Sequence, residues 1–423
     1  MKMKDSGIAW IGRIPENWKT VKIKYCLSRN EKKNHPNAPV LSVYRDYGVV
    51  PKDSRDDNHN VTSSDTSNYK YVVKGNLVIN KMKAWQGSLA VSRHTGIVSP
   101  AYYVYQFTNS KLNKAYFHYL IRNCYKDEFR RLSTGIRDGQ WDLQAYDFEN
   151  TLILLPSQLE QQQIADFLDS KTAEIDGLID KINAEIEVLQ QYQNSIINQA
   201  VTKGLDPNVP MKDSGIAWVG EIPETWEVAR GKNILTLLNR EVRPQDEIVT
   251  AFRDGQVTLR RNRRTDGFTI STKEIGYQGV RVNDLVVHAM DGFAGAIGIS
   301  DSNGKSSPVL NVLDSNQNKK YIMYYLRVCA SLGVFQALAK GIRIRTADTR
   351  WDTLRNLNYL LPSRSEQQQI ANFLDHKTAE IKRLIKSKQQ QINQLTEYKN
   401  SLIFEYVTGK KQVEWGELNA RPN

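Results

Sequence analysis

The chain has 423 residues, too many for one ordinary core and enough for two or three domains of roughly 100 to 200 residues each. Lys and Arg number 58 against 46 acidic residues, and the net charge of +12 favours an anionic partner such as nucleic acid or an acidic membrane surface. No signal-peptide pattern and no apolar run of about 18 residues is present, so a soluble, cytoplasmic protein is expected. Three scattered cysteines without a C-x-x-C pair argue against a disulfide framework or a zinc finger.

Residues 4–18, KDSGIAWIGRIPENW, return at 212–226 as KDSGIAWVGEIPETW, with twelve of fifteen positions identical. The duplication runs on through the chain. At an offset of 208, VYRD (43–46) meets AFRD (251–254), and GNLVINKM (75–82) meets NDLVVHAM (283–290). At 205, NKAYFHYLIRNC (113–124) meets NKKYIMYYLRVC (318–329), which puts Cys124 and Cys329 at one core position of a helical pattern. At 206, GIR (135–137) meets GIR (341–343).

The longest match, LLPSQLEQQQIADFLDSKTAEID (154–176) against LLPSRSEQQQIANFLDHKTAEIK (360–382), opens two long helices. Ser157/Glu160 and Ser363/Glu366 form capping boxes, in which serine and glutamate satisfy each other's backbone donors. Leu168, Ile175, Ile182, Leu189 and Ile196 then fall seven apart, with Ile179 and Ile186 between them, the seam of a coiled coil. The second seam has Leu374, Ile381, Leu395 and Leu402, with Ile385 and Ile392 between; Lys388 interrupts it as a register device or an exposed edge position. About 43 residues of helix give a rod of about 65 Å.

Four segments follow: globular parts at 1–156 and 211–362, a long helix and linker at 157–210, and a long helix and tail at 363–423. Short β-rich runs, loops rich in Gly, Asn and Asp, and one late helix mark the globular parts as α+β. Net charge is +10, +5, −6 and +3 over those four ranges in the order given, so the globular parts carry most of the basic excess and the two rods are opposite in sign. Two basic domains joined by a rod suit a long polyanion such as duplex DNA.

Candidate DNA contacts are Arg260, Arg261, Arg263 and Arg264 of LRRNRRTDG, Lys81 and Lys83 of NKMKAWQG, Arg45 and Arg253 of the paired VYRD and AFRD, and Arg137, Gln140, Arg343 and Arg345 at the GIR turns. Arginine can bind phosphate or read guanine bidentately; the alternative is a solvated loop for the LRRNRRTDG cluster and a structural salt bridge for the GIR turns. Trp218 and Trp226 in the second copy of the repeated stretch, with Trp10 and Trp18 at the same places in the first, suit the anchoring of a joint between globular part and rod. No phosphate-binding glycine loop, dinucleotide fingerprint, H-E-x-x-H pair or adenine-methyltransferase tetrapeptide is present, which points to a chain without chemistry of its own.

The duplicated DSGIxWxGxIPxxW stretch, the LP-x-x-x-EQQQIAxFLD start of each long helix and the repeat of domain plus helix resemble the specificity subunit of type I restriction-modification systems. The resemblance implies two pseudo-symmetric α+β target recognition domains separated by a long antiparallel two-helix coiled coil. Each domain would read one half of a bipartite DNA site. Two methylation subunits would dock on the helices, with restriction subunits in the full complex. S-adenosylmethionine, ATP and Mg would belong to those partners, and no cofactor or metal to this chain. Antiparallel helices would also bring residues 398–410 back to residues 4–18. The alternatives are a non-catalytic DNA-binding coiled-coil protein acting alone, or an anti-restriction decoy.

Overall fold

The structure, a computed structural model, describes residues 2–45, 47–54, 62–135, 141–263, 274–338 and 349–413. Contacts divide it into two compact units, residues 1–182 with 390–423, and residues 183–389. Each unit therefore joins one globular part to half of each long helix, because a two-helix seam buries side chains from both partners at once.

Each copy of the fifteen-residue stretch is a small hairpin. Met3–Asp5 pairs antiparallel with Arg13–Pro15 in unit 1, and Met211–Asp213 with Glu221–Pro223 in unit 2. The turn requires glycine: Gly7 and Gly12 have φ of 73° and 71°, Gly215 and Gly220 68° and 67°.

At the centre of unit 1 lies a four-stranded antiparallel sheet in the order Leu27–Arg29, Tyr102–Phe107, Leu77–Asn80, Leu89–Val91. Unit 2 repeats it as Leu235–Leu237, Leu310–Ser315, Leu285–His288, Ile297–Ile299. The apolar runs NLVIN and DLVVH occupy interior strands. Leu77 and Ile79 face one core while Val78 faces another, and Leu285 and Val287 oppose Val286 in the same way, as a strand's alternation requires.

Helices α1 (Lys114–Cys124) and α3 (Lys319–Ser331) belong to the globular parts, and α2 (Gln158–Lys203) and α4 (Arg364–Val407) are the two rods. Asn113 and Asn318 cap α1 and α3, each side chain accepting two backbone N–H groups of the first turn. Cys124 and Cys329 are buried on these helices, and burial pushes the Cys124 thiol up to about 12, so neither thiol is a nucleophile.

Serine caps the start of each long helix, and at the first the box is reciprocal, with Ser157 N donating to Glu160 Oε2 at 3.1 Å. Glu160 N donates to Ser157 Oγ at 3.3 Å and Glu366 N to Ser363 Oγ at 3.2 Å. The same glutamates also hold the tryptophans of the repeated stretch. Trp18 Nε1 donates to Glu160 Oε1 at 3.2 Å, and Trp226 Nε1 to Glu366 Oε1 at 3.0 Å. Burial would raise Glu160, but hydrogen bonds from Ser157, Trp18 and Asn17 outweigh it and hold the carboxyl below its usual range. The next residue, Gln161 or Gln367, is fully buried and accepts the N–H of the α1 or α3 cap residue at 2.7 and 3.0 Å.

In each unit a lysine at the C-terminal end of a long helix closes the hairpin. Lys203 donates to the carbonyls of Val219 and Glu221, and Lys410 to those of Ile11 and Arg13. Tyr116 of α1 adds a bond to Val407 O at 2.9 Å. Within unit 1, then, the end of α4 does return to residues 4–18.

Leu168, Ile175 and Leu402 are buried in unit 1 with Ile179 and Leu395 packed on the same core; Leu374 and Ile381 are buried in unit 2, where Ile196 packs partly buried. Ile182, Ile186, Leu189, Ile385 and Ile392 are half-buried, as a seam flanked by only two helices leaves them. The Phe167 ring packs tilted against Tyr406 at 4.4 Å between ring centres, and Asp176 pairs with Lys399 at 2.7 Å, an antiparallel succession. In unit 2, Lys388 reaches Glu185 of the other helix, so it interrupts the seam as a cross-helix ion pair rather than as an exposed edge residue. The opposite charges of the two rods meet in these pairs.

Candidate nucleic-acid interface

In unit 1 the strand Leu77–Asn80 leads into a tight turn, Ala84–Gln86, closed by Gly87 at φ 89°. Lys81 leaves this turn to pair with Asp142 at 3.0 Å, and Leu143 N donates to Lys81 O at 3.1 Å. Lys83 is exposed. A Cβ at Gly87 would lie 3.9 Å from Arg45 Cγ, so Arg45, also exposed, stands over the same turn. Trp85 packs on Trp141 at 4.9 Å between ring centres, and the Arg130 guanidinium lies 5.7 Å from the Trp141 ring. The result is a basic turn with an aromatic floor.

Unit 2 builds the same turn with different charges. Lys81 and Lys83 correspond to Ala289 and Asp291, and Gly87 to Gly295 at φ 90°. Arg253, the counterpart of Arg45, pairs with Asp291 at 2.8 Å. The LRRNRRTDG cluster follows the hairpin Val249–Ala251 with Val257–Leu259. The described guanidinium groups are each held: Arg260 Nε donates to Thr250 Oγ1 at 2.9 Å, Arg261 pairs with Glu247 at 2.6 Å, and Arg263 pairs with Asp254 at 2.8 Å while lying 4.2 Å from the Phe252 ring centre. Burial alone would raise Asp254, yet the Arg263 hydrogen bond brings it below its usual range. Arg253, Arg260, Arg263, His288 and Asp291 line one open cleft of about 630 Å³.

The structure thus gathers Arg45, Lys81 and Lys83 in unit 1, and Arg253, Arg260 and Arg263 in unit 2, with Arg261 exposed beside Glu247. Arg137, Gln140, Arg264, Arg343 and Arg345 lie outside the described residues. Sequence reasoning missed Trp141 and Arg130; a tryptophan just past the GIR turn was the available signal. Among the described residues no group of three or more His, Cys, Asp or Glu side chains could hold a metal ion, and no helix is long and apolar enough to cross a membrane.

The family model described as the type I restriction modification DNA specificity domain matches residues 15–188. The internal repeat builds the same joint and strands again in residues 211–361. Residues 15–188 carry the DNA specificity domain of type I restriction-modification systems. It is 28% identical over 232 residues to the MjaVIII specificity subunit of Methanocaldococcus jannaschii, covering 53% of this chain and 51% of the relative. It is 25% identical over 306 residues to the EcoBI specificity subunit of Escherichia coli, covering 66% and 62%. The chain spans about half the length of the Methanocaldococcus subunits it matches. A chain from a solved type I restriction-modification complex has the same fold, with a TM-score of 0.66 at 13% identity, covering 94% of this chain and 99% of that one.

Proposed function

We propose that this specificity subunit is the non-catalytic DNA reader of a type I complex, with each globular part reading one half of a bipartite site. The long helices serve as spacer and as docking platform for two methylation subunits, to which restriction subunits add; S-adenosylmethionine, ATP and Mg enter with those partners. One observation carries this reading: the joint between globular part and rod is built twice from the same side chains, while the basic turns that follow the central strand differ in charge. Identical joints suit identical partners, and different turns suit different half-sites. Arg45, Lys81 and Lys83 would serve the first half-site, and Arg253, Arg260, Arg261 and Arg263 the second. Guanidinium groups already held by carboxylates are pre-oriented for bidentate contact with base edges, whereas exposed Lys83 suits phosphate.

Selection of bound duplexes from a random pool, using the chain purified with its methylation subunit, tests this. The expected product is two short fixed blocks separated by an unread gap of constant length. Binding without sequence preference that simply weakens as salt rises would instead mark a general anion binder.

A further inference from the structure

Helices α1 and α3 each reach a long helix through a tyrosine hydroxyl and a basic loop through an arginine. Tyr119 donates its hydroxyl to Asp169 Oδ1 at 2.5 Å and lies 3.2 Å from Thr172 Oγ1, both on α2. Tyr324 repeats this on α4, donating to Asp375 Oδ1 at 2.8 Å and lying 3.3 Å from Thr378 Oγ1. Burial and the neighbouring carboxylate push the Tyr119 hydroxyl above its ordinary range, so it stays a proton donor.

Three residues further along each helix an arginine reaches the loop. Arg122 Nη2 donates to Arg45 O at 2.5 Å, and Arg327 Nη1 to Asp254 O at 2.8 Å. Both loops are shaped to admit it. A Cβ at Gly48, φ 70°, would stand 2.8 Å from Arg122 Nη1, and one at Gly255, φ 90°, 1.3 Å from Arg327 Nη1. Any side chain there would displace the guanidinium, and the backbone conformation itself favours glycine.

A helix rises 1.5 Å per residue with little give, so two hydrogen-bonded contacts three residues apart leave no slack between rod and loop. We infer that Tyr119 with Arg122, and Tyr324 with Arg327, form a strut in each unit that fixes the basic loop relative to the spacer helix. These are positioning residues and rest on the DNA-reading function proposed above. The tyrosine end sets where the globular part sits on the rod, and so the gap between half-sites. The arginine end sets the aim of the loop, and so the fidelity within one half-site.

Mapping modified adenines in a host expressing the chain with its methylation subunit separates the two roles. The double variant Tyr119→Phe, Tyr324→Phe is expected to keep both half-site sequences while modifying sites of more than one gap length. Arg122→Ala is expected to relax base identity in the half-site of unit 1 alone, with the gap unchanged. An unaltered gap in the tyrosine variant, or equal relaxation of both halves in the arginine variant, overturns the strut. If the phenylalanine variant fails to accumulate, Thr172→Val with Thr378→Val removes one partner at each site and is read the same way. A wild-type map without a bipartite motif would sink the DNA-reading assignment and the strut with it, before any variant is scored.

Discussion

In unit 1, Trp18 bonds Glu160, Gln161 takes the N–H of Asn113, and Lys410 closes on Ile11 and Arg13; in unit 2, Trp226 bonds Glu366, Gln367 takes the N–H of Asn318, and Lys203 closes on Val219 and Glu221. At the turn after the central strand the agreement ends. Unit 1 has Lys81 and Lys83 below Arg45, while unit 2 has Ala289 and Asp291, the latter neutralising Arg253. The side chains that hold a globular part to its rod are common to both halves, and those that face outward from the turn are not. A molecule that had only to bind anions would need no such division.

The largest effect is expected where the joint is most buried. Trp226 is fully buried, and Trp226→Ala removes both its packing and the bond to Glu366; a loss of about 3 to 5 kcal/mol is expected in denaturant unfolding. Trp18→Ala should cost a similar amount, and a clear inequality would break the equivalence of the two joints.

A pH difference distinguishes the units next. His118, on α1, is held down to about 3 by burial, with Arg122 and Arg93 adding to it; its counterpart in unit 2 is Met323. The folded imidazole stays neutral while the unfolded one takes a proton below about pH 6.5. Its contribution is therefore complete above that pH and declines as pH falls toward the folded value, by about 2 kcal/mol at pH 5. His118→Met should flatten the pH 5 to 7 dependence of stability relative to wild type, and an unchanged slope would contradict the buried neutral imidazole.

The smallest expected change sharpens the contrast between turns. Asp291→Asn frees Arg253, and the affinity of the complex for DNA should then fall more steeply with salt, by about one further counterion, a slope change near 0.9. The equivalent Lys83→Ala in unit 1 should make the slope shallower by a similar amount.

The rods, their capped starts and the cysteine positions are legible in the sequence because they rest on local periodicity and on a repeat within the chain, whereas the return of the α4 end to residues 4–18 follows only from the antiparallel helices that the family resemblance implies. The state of the basic side chains is not legible. LRRNRRTDG reads as a dense cluster, yet Arg261 and Arg263 are tied to Glu247 and Asp254, residues brought close only by the hairpin. Arg122 and Arg327 lie in plain view in the repeated YLIRNC and YYLRVC, but an arginine on an amphipathic helix looks solvent-facing until its loop is in place. All four tryptophans of the repeated stretch stand out as anchors, whereas the glutamate that Trp18 or Trp226 bonds is visible in the sequence only as half of a capping box.

If the two units read two different half-sites across a fixed gap, the most direct measurement is the map of modified adenines in a host carrying the chain and its methylation subunit, compared with Arg253→Ala, Arg261→Ala, Arg263→Ala combined. The wild type should give one bipartite motif, and the triple variant should relax one half while leaving the other half and the gap intact. A contiguous motif, or loss spread evenly over both halves, would contradict a division of reading between the units.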